Sequence, residues 1–256
     1  MRLPQIMVCR FYSLLSCRRY RHLGSLVARI IFQPIEETSR VFFSKTLSSS
    51  STITKDDLST AAHILLSLLL LFTHLLLLLI IFGPPFLPLA VSILLPPRYH
   101  ATSAPIILRT YIYYIPTMAF NGLLEAFIAS TSTPTDLRTQ SRWMVIFSIA
   151  FIVSAVTLSK GLRWGDAGLV WANVANLGVR ALYAWNFTRT YYIRRGAGEL
   201  VRWQRALPPI PVFIIFAVAA VVTRWSARAY HDLPIYSQLG HITIGVTCIS
   251  GCLIAW

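Results

Sequence analysis

The chain has 256 residues, 55% of them apolar and 12% charged, with a net charge of +14 and a mean hydropathy of +0.62. That mixture excludes an ordinary soluble domain and fits a polytopic helical membrane protein. Nor does the positive balance signal RNA or DNA binding: the arginines fall in short connections between apolar segments, where anionic headgroups are the expected neighbours.

Residues 1–23 carry Arg2, Arg10, Arg18, Arg19 and Arg21 and no acidic residue, so they read as a divergent basic segment that looks like a transit peptide as much as a loop. Residues 24–256 read as one membrane domain. Its apolar stretches predict about seven spans, Gly24 to Leu47, Ala61 to Phe82, Ile106 to Ile128, Trp143 to Leu158, Ala167 to Phe187, Ile210 to Val222 and Leu239 to Trp256. The second is uncharged throughout and long enough, at 1.5 Å per residue, to cross a ~30 Å hydrocarbon core.

Between the second and third spans, Pro84 to Pro97 holds a short apolar run bracketed by proline pairs, which predicts a re-entrant or interfacial connector rather than a spanning helix. Asp166 is expected to cap the fifth span, while Trp143 and Trp164 flank the fourth span and Tyr191-Tyr192 close the fifth, marking headgroup zones, with packing as the other reading of those rings. Basic residues do not settle orientation. The arginine-rich front and the Arg189 to Arg205 stretch fall on opposite sides of seven spans, so either the count is off by one or residues 1–23 are not the native flank; the later loop is placed in the cytosol.

The first span is the most informative. On a helix Arg29, Gln33, Glu36, Glu37 and Arg40 project into an arc of roughly 100°, with Ile30, Ile31, Val41 and Phe42 mostly outside it. Four charges facing lipid at mid-depth would cost on the order of 10 kcal/mol, so this face must meet water, a polar ligand or another helix. Pro34 is expected to bend the helix near Gln33 and free a carbonyl beside protein or a cavity. Two further spans carry polar groups at helical spacing, Asn121 with Glu125, and Asn173 and Asn176 with Arg180. Single buried amides are commonly interhelical glue, but three such helices together suit a polar cavity. Arginines there suit a diphosphate, and amides and carboxylates suit sugar hydroxyls; pairing of Glu36 with Arg40 would instead neutralise the site internally.

Signatures of catalysis are absent: there is no phosphate-binding lysine loop, no HExxH and no Gly-x-Ser-x-Gly. Asp56-Asp57 reads as a solvated loop pair, and no metal or cofactor is expected. Cys9, Cys17, Cys248 and Cys252 form no metal-ligand set and read as small apolar residues. Asn186-Phe-Thr188 matches a glycosylation sequon, but its place at the end of a span makes the match accidental.

Three runs carry a resemblance to a known family: Ala28 to Glu37 (ARIIFQPIEE), Tyr113 to Phe127 (YYIPTMAFNGLLEAF) and Gly165 to Arg180 (GDAGLVWANVANLGVR). From about Gly24 to the end the chain resembles the Rft family, within the superfamily of multidrug, oligosaccharidyl-lipid and polysaccharide flippases, and reads as fungal. The resemblance implies an all-α bundle of two lobes and about fourteen spans, of which this chain is similar to the second lobe, so that a first lobe is missing and the product is truncated or mispredicted. It also implies residence in the endoplasmic-reticulum membrane and ATP-independent movement of dolichol-diphosphate-linked oligosaccharide to the luminal leaflet for N-glycosylation. Arg29, Gln33, Glu36, Glu37, Arg40, Asn121, Glu125, Asn173, Asn176 and Arg180 are then the expected substrate path. Partners would be the lipid-linked oligosaccharide, membrane lipid and the missing lobe or other glycosylation proteins. Alternatives are a non-transporting scaffold of the same pathway, a membrane glycosyltransferase and a drug or cation antiporter.

Overall fold

A computed structural model describes residues 28–48, 53–94, 96, 102–230 and 238–255, without the side chains of Ala28, Arg29, Ser48 and Leu94. The basic segment 1–23, with Cys9 and Cys17, therefore lies outside the described residues. Seven α-helices follow in order: α1 (Gln33–Ser48), α2 (Lys55–Leu94), α3 (Ala104–Thr131), α4 (Pro134–Val156), α5 (Gly165–Arg194), α6 (Ile210–Tyr230) and α7 (Leu239–Ile254). Among the described residues there is no strand, and the class is all-α. Four stretches are long and apolar enough to cross a membrane, namely Lys55–Ile93, Ala104–Thr131, Pro134–Gly161 and Gly198–Tyr230; Leu239–Ile254 is a shorter apolar helix. Helices α1 and α5 fall outside that set because charged and amide side chains lower their hydropathy.

Pro34 is the second residue of α1. A π turn at Ala28–Phe32 runs directly into α1, and such a wider turn accommodates the hydrogen bond that a proline cannot donate. The segment after Phe82 departs from expectation: it is no separate connector, but continues α2 through Pro84, Pro85 and Pro88 to Leu94. Grouped prolines confine the lost hydrogen bonds to about one turn, and packing on both sides carries the helix past it. Gly83 leaves room for Ile112 of α3, whose Cδ1 would stand 2.8 Å from a Cβ at that position. Phe86 stacks on His241 of α7 with ring centroids 4.1 Å apart. Helix α2 is thus ~60 Å long, twice the hydrocarbon thickness.

That length lets α2 serve two cores. Its first half (Leu58, Ala61, Leu65, Leu69, Phe72) packs with Phe32 of the π turn, Phe43 and Leu47 of α1, Leu123 and Phe127 of α3, and Tyr191 and Tyr192 of α5. Its second half (Ile81, Phe82) packs with Val212, Phe216 and Ala219 of α6 and Cys252 of α7. Cys248 and Cys252 thus behave as small apolar residues. The connection between α5 and α6 closes over the first core: Val201 is buried in it, and the Ala206 carbonyl accepts a hydrogen bond from Thr73 Oγ1 at 3.0 Å.

Helix starts are chemically marked. Thr133 and Asp136 form a capping box for α4, and Asp57 Oδ2 accepts from the Thr54 hydroxyl at 2.7 Å while the Asp57 amide donates back to that hydroxyl at 3.2 Å. The carboxylate of Asp57 is thereby spent on starting α2. Asp166 does not cap α5, which begins at Gly165; lying one residue inside the first turn, it accepts from Ser103 Oγ at 2.8 Å and ties α5 to the start of α3. Trp143 and Trp164 are exposed, whereas Tyr191 and Tyr192 turn inward against Phe127, so for the tyrosines the packing reading holds.

Candidate functional site

Helix α1 divides its polar residues between two faces. Phe32, Glu36, Ser39, Phe43 and Leu47 recur every three or four residues and turn towards the bundle, whereas Gln33, Glu37 and Arg40 point out of it. On the outer face Gln33 Nε2 donates to Glu37 Oε1 at 2.8 Å. Arg40 leaves its guanidinium exposed and uses its backbone carbonyl to accept from Ser130 Oγ of α3 at 2.9 Å. Among the described residues Glu36 and Arg40 form no ion pair. The side chain of Arg29 lies outside the described residues.

On the inner face the half-buried Glu36 rests on α3 at Gly122. A Cβ at that position would overlap the Glu36 carboxylate, so the glycine is the seat of the acid. Glu125 follows one turn later and is close enough for the two carboxylates to repel each other. It is held from the opposite side by α5: Arg180 donates to Glu125 Oε1 from Nε at 2.9 Å and from Nη2 at 2.5 Å. Glu36, Gly122, Glu125 and Arg180 therefore make a polar seam running across three packed helices. Both ends of the Arg180–Glu125 pair keep a little over a quarter of their side-chain surface exposed, so the pair is not sealed inside the bundle.

The two amide groups divide differently. Asn121, beside the glycine, is 5% exposed and its Oδ1 has no hydrogen-bond partner, an arrangement that retains a free acceptor at a desolvation cost of roughly 1–3 kcal/mol. Asn173 and Asn176 are half-buried one and two turns before Arg180, on the same face of α5. Gly122 and Ser130 escaped the sequence reading. A glycine between Asn121 and Glu125 in an apolar span was the available signal for the first; Ser130 had none, because its partner is a backbone carbonyl 90 residues away.

The sequon is closed as a modification site: Thr188 is fully buried in α5 and its hydroxyl donates to the Ala184 carbonyl at 2.9 Å.

The family model described as Rft protein matches residues 11–256. Among curated relatives, a Man(5)GlcNAc(2)-PP-dolichol translocation protein of Yarrowia lipolytica is 38% identical over 181 residues, 68% of this chain and 27% of its own length. The like-named proteins of Xenopus tropicalis and Eremothecium gossypii are 34% and 27% identical, covering 89% and 93% of this chain and 42% of their own lengths. The chain thus spans at most about two fifths of these relatives. No solved structure matches. With nearly the whole chain covered by the family model, and the polar helices α1, α3 and α5 all inside the match, this chain belongs to the Rft protein family.

Proposed function

We propose that this chain forms one wall of a path by which dolichol-diphosphate-linked oligosaccharide crosses from the cytosolic to the luminal leaflet of the endoplasmic-reticulum membrane, without ATP, for protein N-glycosylation. The observation that carries the reading is the division of α1. Its outer face presents Gln33, Glu37 and Arg40 away from the bundle while its inner face anchors it through Glu36. A charged face directed away from its own bundle, on a helix packed among apolar spans, requires water or a polar partner. A second lobe across an aqueous path supplies both, and residues 24–256 would be the lobe that carries this wall. Arg29, Glu37 and Arg40 would line the passage for diphosphate and sugar, with Glu36, Asn121, Glu125, Asn173, Asn176 and Arg180 behind them holding the wall's charge and shape.

The relatives' printed names describe translocation of this lipid, which supports transport over the scaffold and antiporter readings. To test it, residues 24–256 replace the matched part of the Yarrowia relative, and the chimera is reconstituted in vesicles. Flux of lipid-linked oligosaccharide is followed by its loss of accessibility to an external sugar-binding protein. Arg40→Gln with Glu37→Gln is expected to cut flux about tenfold at unchanged incorporation, the loss of about one charge-assisted contact. Unchanged flux alongside underglycosylation in cells would refute translocation as the role of this face.

A further inference from the structure

Apart from the polar seam, a cleft of about 350 Å³ opens where the α3–α4 turn meets the last three turns of α5. We infer that this cleft holds a lipid headgroup in which a phosphate ester is joined to a hydroxylated ring. Two kinds of group line it, and each selects part of that ligand.

Phosphate is selected by the end of α5. Arg194 and Arg195 both face the cleft. Arg195 is pinned, with its guanidinium 3.5 Å above the Tyr191 ring and Nη1 donating to the Tyr191 carbonyl at 3.3 Å. That leaves the rest of its fork free. Arg194 has no ion pair or hydrogen bond among the described residues. A fixed and a free guanidinium side by side suit an ester phosphate in the headgroup zone.

Ring hydroxyls are selected by the opposite wall. Thr131 Oγ1 donates to the Phe127 carbonyl at 2.8 Å and Thr139 Oγ1 to the Thr135 carbonyl at 3.1 Å, so both oxygens are left to the cleft as acceptors. Asp136 lines the same wall as a carboxylate. Bare phosphate, itself only an acceptor at full ionisation, would be repelled there; hydroxyl groups are not. Asn186, on an exposed turn of α5, adds both a donor and an acceptor, and the rings of Tyr183, Phe187 and Tyr191 provide apolar walls against which a ring's C–H face packs.

Phosphatidylinositol and polyprenyl-diphospho-sugars both carry this chemistry, and the test separates them. The full chain in phosphatidylcholine nanodiscs is offered phosphatidylinositol, phosphatidylserine or a short polyprenyl-diphospho-N-acetylglucosamine at equal mole fraction, and retained lipid is counted by native mass spectrometry. One or both ring-bearing lipids should be retained about tenfold over phosphatidylserine, and Arg194→Gln, which removes a phosphate contact, should cut retention of the ring-bearing lipids about tenfold. Because Arg194 is exposed, an unchanged melting curve is expected for that variant; Thr139→Val, which removes a hydroxyl that donates to the Thr135 carbonyl and offers its acceptor to the cleft, gives a second and smaller loss. Retention of phosphatidylinositol alone assigns an accessory lipid site independent of the translocation reading, and retention of the diphospho-sugar alone assigns a docking position for cargo. Equal retention of phosphatidylserine, or retention indifferent to Arg194→Gln, overturns the inference.

Discussion

Removing one member of the Arg180–Glu125 pair tests whether the seam is integral to the bundle. Two N–H groups of Arg180 converge on a single carboxylate oxygen at 2.9 and 2.5 Å, so Arg180→Gln leaves Glu125 facing Glu36 with no cation between α3 and α5. Breaking a fully buried pair costs about 3–5 kcal/mol. Side-chain exposures of 29% and 27% leave the pair short of full burial, which reduces the expected loss to about 2 kcal/mol for Arg180→Gln or Glu125→Gln singly, roughly thirtyfold in the folding equilibrium. With both replaced, two amides of similar length face each other and the loss should fall to about 1 kcal/mol. The cycle then gives a coupling of about 3 kcal/mol, well above the ~0.6 kcal/mol average for interhelical hydrogen bonds in membranes. Equilibrium unfolding in mixed detergent micelles, read by tryptophan fluorescence, measures all four species. Additive losses, or a coupling near ~0.6 kcal/mol, would refute an ion pair that holds α5 to α3.

Gly122→Ala should act on position rather than stability: the new Cβ meets the movable end of Glu36, so unfolding should shift by less than about 1 kcal/mol while carbodiimide labelling of Glu36 rises as the acid is expelled. Gly168→Ala should do the reverse, since its Cβ would lie 2.8 Å from backbone atoms of Leu158 and Ser159 that cannot step aside; a loss of about 1–3 kcal/mol in the same unfolding assay is expected. Thr133→Ala removes the hydroxyl that accepts from the Asp136 amide and donates to its carboxylate, and should cost about 1 kcal/mol, visible as faster hydrogen exchange at the start of α4.

Composition and hydropathy determined that the chain is a helical membrane protein, because uncharged runs such as Ala61 to Phe82 have no other stable setting. Helical periodicity likewise brought Asn173, Asn176 and Arg180 to one face of α5, a matter of 100° steps within one helix. Local pattern failed after Phe82, where prolines that lower helix propensity were overruled by Ile112 and His241 packing against the same turns. It failed again for Asp166, whose side chain answers Ser103 from a different helix.

What only tertiary structure decided is pairing between helices. Arg180 lies 55 residues from Glu125, and Glu36 finds its seat on a glycine of another helix. Such partners depend on which helices adjoin and at what depth, quantities set by the summed packing of Phe43, Phe127 and Tyr192 rather than by any short stretch of chain. The amphipathic arc of α1 was legible as five polar residues; that Glu36 turns inward while Gln33, Glu37 and Arg40 turn outward was not, because 3.6 residues per turn places neighbouring charges close together on the wheel and only a packed neighbour divides them.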